Sequence, residues 1–188
     1  MRVLREWKGE CMIEYDDNGM RVYEGGFEGD MMKGFIREGE GKEFGIDGEL
    51  IRSGRWIEGV YEDAIKRFED GYGNDLSVFD IDCLKGIERV EIGNDSFQNV
   101  NEFVIDGLNE LKSVMIGRES FGPNKENRKG SSCLIMNCDQ LSEICIGFHS
   151  FYWYESLECK NLPSLISIQL DRYAFYACHL IVLESMND

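Results

Sequence analysis

The sequence predicts a mainly β protein made of two consecutive repeat arrays, a β-hairpin array followed by a short solenoid, joined by a short helix. Three observations predict it. The phenylalanines Phe97, Phe121, Phe151 and Phe175 are 24, 30 and 24 residues apart, and Ile87, Leu111, Leu141 and Leu165 keep the same steps. A fixed period of this length marks units that bury their apolar faces only against one another. Upstream, Tyr15, Gly19, Gly25 and Phe27 recur as Phe44, Gly48, Gly54 and Trp56 at a constant offset of 29. Between the two arrays, Tyr61, Ile65 and Phe68 fall at i, i+4 and i+7, the spacing of one helical face.

The hairpin array is assigned to residues 1–61. Asn18-Gly19 and Asp47-Gly48 are dipeptides that supply the two positive-φ positions of a type I′ turn, and alternating segments flank each of them. Gly29, Gly34, Gly39 and Gly41 are expected at bulges and at close backbone approaches. Residues 62–75 are assigned to a short helix that ends at Gly71 and Gly73 and caps the solenoid.

Residues 76–188 are assigned to about four coils. The first strand of each coil carries Val90 and Ile92, Val114 and Ile116, Ile144 and Ile146, or Ile168 and Leu170 at alternate, inward positions. A second extended segment follows at Phe79-Asp80-Ile81, and in the later coils at Phe103 to Ile105, Cys133 to Ile135, Leu157 to Cys159 and Ile181 to Leu183. Leu84, Leu108, Cys138, Leu162 and Met186 form one more inward column, and an insertion around Gly122 to Gly130 accounts for the long step.

The formal charge is -16, with Asp+Glu 18 against Lys+Arg 11 through residue 70 and 18 against 9 after it. A field negative over both halves repels phosphate backbones and anionic lipid, which disfavours nucleic acid and membranes, and it steers a basic protein partner inward. The first ten residues carry charges where an export signal needs an apolar core, and no 18-residue apolar run occurs. The seven cysteines are odd in number and never form C-x-x-C. That pattern fits reduced, buried thiols in a cytoplasmic protein better than a disulfide framework or a zinc ribbon.

Tyr23-Glu24-Gly25-Gly26-Phe27-Glu28-Gly29, Gly39-Glu40-Gly41 and Asp47-Gly48 resemble MORN repeats. Gly54-Arg55-Trp56-Ile57-Glu58-Gly59 is a further partial copy, and Trp7-Lys8-Gly9 an opening fragment. Leu165, Ile168, Leu170, Ala174 and Phe175 are similar to the BspA-like leucine-rich repeat, as are Leu111, Gly117, Ser120 and Phe121 and also Leu141, Gly147, Ser150 and Phe151. The second resemblance implies a solenoid with two ladders per coil and a role in protein–protein contact. Together they imply a non-catalytic scaffold that presents repeat surfaces. The alternative is a membrane-associated tether acting through the MORN-like hairpins, although residues 1–70 are acidic. End-to-end association of copies is open, because Met186-Asn187-Asp188 supplies no obvious polar cap.

Catalytic parts are sparse. Cys145 precedes His149 by four residues and Cys178 adjoins His179, but Cys145 is expected to face away from the core on a strand with His149 beyond the next turn. Gly39-Glu40-Gly41-Lys42-Glu43-Phe44 has Phe44 where a dinucleotide-binding loop needs its third glycine. No D-x-D-x-D-G calcium loop occurs, and no catalytic residue, cofactor or metal site is expected. One local break stands out. In the third repeat counted from Phe97, Phe148 occupies the column of Asn94, Arg118 and Arg172; Tyr152 shares that of Gln98 and Tyr176; Trp153 shares that of Asn99 and Ala177. Phe148, Tyr152 and Trp153 are therefore the candidate partner-binding residues, expected to be exposed unless the hairpins or the insertion cover them.

Overall fold

The structure, a computed structural model, describes residues 4–8, 11–30, 34–122 and 128–184. It is mainly β, with stacked solenoid coils in its second half. The chain divides into two compact units between Ala64 and Ile65.

In the first unit, β1 (Leu4–Lys8), β2 (Cys11–Tyr15), β3 (Arg21–Asp30), β4 (Gly34–Phe44), β5 (Leu50–Ile57) and β6 (Val60–Tyr61) pair antiparallel in chain order. The turns differ from the expected type I′. Only Gly19 and Gly48 have positive φ, while Asn18 and Asp47 do not. The Asp16 N–H donates to Met20 O and the Gly19 N–H to Asp16 O, so each loop is a type I turn closed by a left-handed glycine. The reason is local. Asp16 Oδ1 accepts the N–H groups of Asn18 and Met20 at 2.9 and 2.8 Å, and Asp47 Oδ1 accepts that of Glu49 at 3.0 Å.

Tyr23 and Trp56 form the centre of this sheet's packed face, edge to face at 5.2 Å. A Cβ on Gly41 would lie 2.1 Å from the Tyr23 hydroxyl, so a glycine is required where the ring crosses the neighbouring strand. The Arg37 guanidinium lies over both rings, 4.3 Å from Tyr23 and 4.8 Å from Trp56. It bonds Glu14 at 3.0 Å and Glu43 at 2.7 Å. Glu14 is buried and also accepts from Arg5 at 3.0 Å, so its charge is matched twice.

The second unit begins one coil earlier than expected. Residues 61–68 do not form a helix. A single 3-10 turn at Glu62–Ala64 leads into β7 (Ile65–Phe68), which pairs parallel with β8 (Arg89–Ile92). The helical spacing misleads because Lys66 holds the column of Val90 and breaks the strand alternation. At the outermost coil that column needs no apolar residue.

The first ladder runs β7, β8, β10 (Ser113–Ile116), β12 (Glu143–Ile146) and β14 (Ser167–Leu170). The second contains β9 (Glu102–Asp106), β11 (Ser132–Met136), β13 (Ser156–Lys160) and β15 (Leu180–Glu184). Five coils, I to V, thus begin at residues 65, 89, 113, 143 and 167. Coil I has no second strand among the described residues. The Asp80 side chain accepts from the Asp82 N–H and starts a 3-10 turn at Ile81–Leu84.

Each corner after the first strand contains two left-handed residues: Asp95 and Phe97, Glu119 and Phe121, His149 and Phe151, Tyr173 and Phe175. In coil I both equivalents are glycines, Gly71 and Gly73. The conformation directs backbone donors along the solenoid axis. Glu119 N–H donates to Phe148 O of the next coil, and Phe121 N–H to Ser96 O of the previous one. His149 and Phe151 repeat this with Arg172 O and Ser120 O. The phenylalanine rings stack inside at 5.2, 4.6 and 4.8 Å, the last two pairs within 2° of parallel. Gly73 ends the column, since a Cβ there would meet the Phe97 ring at 2.6 Å, and Phe68 and Tyr72 cover that ring with their edges.

Beside the rings runs a serine ladder. Ser120 Oγ accepts the Ser96 N–H at 3.2 Å and donates to Gly93 O at 2.8 Å. Ser150 repeats the arrangement with Ser120 N–H and Gly117 O at 3.0 and 2.7 Å. At the other end, Leu170, Ile181 and Leu183 of coil V occupy inward columns yet are 43, 58 and 53 % exposed. Met186, assigned to the next column, lies outside the described residues, as do 123–127 of the insertion.

Ser120→Ala tests the serine ladder. It leaves a buried N–H and a carbonyl unmatched, and is expected to cost about 1–3 kcal/mol in a denaturant titration, against under about 0.5 kcal/mol for an exposed substitution.

Candidate functional site

The corner of coil IV is fixed from inside. Ser150 belongs to the serine ladder, Phe151 to the ring stack, and Tyr154 is buried with its hydroxyl donating to Val100 O at 2.7 Å. Burial pushes the Tyr154 hydroxyl well above its ordinary pKa, which keeps it a neutral donor. With these three side chains directed inward, Phe148, His149, Tyr152 and Trp153 line the outside of the corner.

The structure brings the three predicted residues together and adds three that the sequence reading missed. His149 packs on Tyr152 at 4.0 Å, and Tyr152 stacks on Tyr176 of coil V at 4.9 Å and 14°. Trp153 meets the Tyr152 edge at 4.8 Å, Phe148 meets Tyr173 at 5.9 Å, and Tyr173 meets Tyr176 at 5.8 Å. Phe148, Tyr152 and Trp153 are half-buried, whereas Tyr173 and Tyr176 remain 47 and 63 % exposed. The signal for Tyr176 was present, because it stands 24 residues after Tyr152 in one column. Arg118 lies 5.5 Å from the Phe148 ring and Arg128 5.5 Å from that of Trp153, so guanidinium groups already rest on two of these rings.

Next to the cluster is a groove of about 250 Å³. Asn74, Asp95, Gln98 and Glu119 line one wall, and His149, Tyr152 and Trp153 the other, with Gly122 between them. The Asn74 amide is engaged, donating to Asp95 O at 2.8 Å and accepting the Gln98 N–H at 2.9 Å. Gln98 donates to Glu119 O.

Cys145 and Cys178, which stand near His149 and His179 in the sequence, have their thiols placed against other groups. The Cys145 thiol faces Glu143 Oε1 at 3.5 Å, and burial together with that carboxylate raises its pKa. Cys178 Sγ lies 3.1 Å from Leu180 O. Burial also raises the Cys133 thiol and pushes Cys159 up to about 11. Among the described residues, no group of three His, Cys, Asp or Glu is placed to hold a metal ion, and no helix is long and apolar enough to cross a membrane.

No family model matches this chain, and no curated protein or solved structure matches it.

The thiol environments give an ordered labelling pattern. At pH 8, iodoacetamide followed by peptide mass spectrometry is expected to modify exposed Cys11 first. Cys133 and Cys159 should stay unlabelled until the protein is unfolded.

Proposed function

We propose that the protein is a non-catalytic interaction scaffold, with MORN-like hairpins in the first unit and BspA-like leucine-rich coils in the second, that binds a basic protein partner through the aromatic corner of coil IV. One observation carries the reading: a cluster of outward aromatic rings on a corner whose inward residues are locked by the ring stack and the serine ladder. Rigid aromatic anchors lose little conformational entropy on binding and supply large contact areas, which is why interface hot spots favour them. The chain's net charge of -16 favours a basic partner and opposes nucleic acid. Seven free cysteines suit a reducing compartment such as the cytoplasm.

The test contrasts binding with folding. Tyr152→Ala/Trp153→Ala removes outward rings while leaving Ser150, Phe151 and Tyr154 in place. Its melting temperature is expected to fall by no more than about 4 °C, the shift that about 1 kcal/mol produces in a chain of this size. Affinity capture with the double variant should lose the partners that the unmodified protein retains, since truncating a hot-spot aromatic costs about 2 kcal/mol or more. Undiminished capture by the folded variant contradicts the reading. A much larger drop in melting temperature would make these rings part of the core.

A further inference from the structure

A polar ladder along the outer edge of the corner breaks off before coil IV. The Asp70 carboxylate of coil I accepts the Asn94 N–H at 2.6 Å and the Asn94 side-chain amide at 3.2 Å. In coil II, Asn94 Oδ1 accepts the Arg118 N–H at 2.8 Å. Each rung is an oxygen placed one coil before the N–H it receives. Coil III carries Arg118 at this position, and a guanidinium has donors only. The Phe148 N–H, next in the column, accordingly has no hydrogen-bond partner among the described residues. Coil V has an acceptor of its own, since Asp171 Oδ1 takes the Arg172 N–H at 2.6 Å.

The side chains around this N–H are donors as well. Strand register puts Arg118 and Arg172 in the coils on either side of Phe148, at a backbone spacing of roughly 4.8 Å. Both are exposed, and neither forms an ion pair among the described residues. The Arg118 guanidinium rests 5.5 Å from the centre of the Phe148 ring, beside the unmatched N–H. Elsewhere in this acidic chain Arg37, Arg52 and Arg67 are all paired with glutamates. What this edge lacks is a negatively charged acceptor. A carboxylate supplies one, matches the planar fork of a guanidinium, and already fills the equivalent rung of coil I as Asp70. A phosphate would bring nearly two charges against exposed Glu119 and Asp171, so the singly charged group fits better.

We propose that the broken rung is a carboxylate seat. An aspartate or glutamate side chain, carried by the otherwise basic partner, accepts the Phe148 N–H and pairs with the Arg118 and Arg172 guanidiniums. This rests on the reading of the coil IV corner as a partner site and names one group that the site takes.

The experiment titrates the full chain, labelled with nitrogen-15, at about 0.15 M salt, where bulk charge is screened beyond roughly 8 Å. The probes are an acetylated Gly-Lys-Gly-Asp-Gly-Lys-Gly amide, the same peptide with asparagine for aspartate, and that asparagine peptide with a free terminal carboxylate. The chain's net charge favours the amidated asparagine peptide, the most positive of the three, so it opposes the expected order. The aspartate peptide is expected to bind about tenfold tighter than the amidated asparagine peptide and to move the Phe148 amide proton downfield. Arg118→Asn rebuilds the rung from within, repeating Asn94. It should fold, shift the Phe148 amide without peptide and abolish the preference for aspartate. Arg172→Gln removes one charge from an exposed side chain and should reduce the preference severalfold; it carries the test if Arg118→Asn fails to fold. Equal binding of the aspartate and amidated asparagine peptides overturns the seat, as does a preference undiminished in folded Arg118→Asn. Tightest binding by the peptide with the free terminus overturns the side-chain assignment. If the preference is absent while Tyr152→Ala/Trp153→Ala still loses its captured partners, the seat fails and the corner survives as a partner site. If the preference is present but capture survives the double variant, the seat stands and the role of the outward rings in capture fails.

Discussion

The column of stacked phenylalanine rings holds each solenoid corner in a backbone conformation that phenylalanine disfavours. A left-handed L-residue costs about 1–2 kcal/mol, and each of the corners in coils II to V contains two. Burying a phenylalanine side chain contributes about 1.5–3 kcal/mol, and each aromatic contact adds about 0.5–1.5 kcal/mol. Phe121 stacks on Phe97 and Phe151 and meets Phe103 and Phe79 edge on, so its burial exceeds the strain. The conformation in turn points corner N–H groups at carbonyls of the coils above and below, which leaves these buried donors matched. Coil I has Gly71 and Gly73 at these positions, and a Cβ at Gly73 would meet the Phe97 ring at 2.6 Å.

That constraint also places the candidate site. Once Ser150, Phe151 and Tyr154 are committed inward, the residues between them have only the outer surface available. The sequence varies freely there, from Gln98 to Gly122 to Tyr152 at one position. The hairpin unit applies a related device without a repeat stack. Tyr23 crosses the bare backbone of Gly41, and Arg37 bridges two rings and two carboxylates. In both units a glycine marks the place where another group must approach the backbone.

How much of this was legible follows from where periodicity applies. The 24, 30 and 24 residue steps reappear as strand register, pairing Val90 with Val114, Val114 with Ile144 and Ile144 with Ile168. Inward columns were readable because every interior coil needs them apolar. The outermost coil is released from that need, and so Lys66 disguised β7 as a helix. The turns were misread because the Asn18-Gly19 dipeptide signal competes with Asp16, whose carboxylate captures two backbone donors. At the site, Phe148, Tyr152 and Trp153 were visible as a break in polar columns. Tyr176 carried a signal as well, standing 24 residues after Tyr152 in one column, whereas His149 and Tyr173 did not, because their joining depends on ring directions at the corner. The groove was the least legible, since it depends on the Gln98 amide leaning over Gly122, which no repeat column marks.

The central claim, that ring stacking sustains a strained left-handed corner, is tested most directly by comparing Phe121→Gly with Phe121→Ala in denaturant titrations. Both variants lose the ring and leave a similar cavity, but only glycine adopts the φ of 54° at this position without strain. The account predicts that Phe121→Gly is more stable than Phe121→Ala by about 1 kcal/mol, the reverse of the usual order. An alanine variant as stable as the glycine variant, or more so, would contradict it.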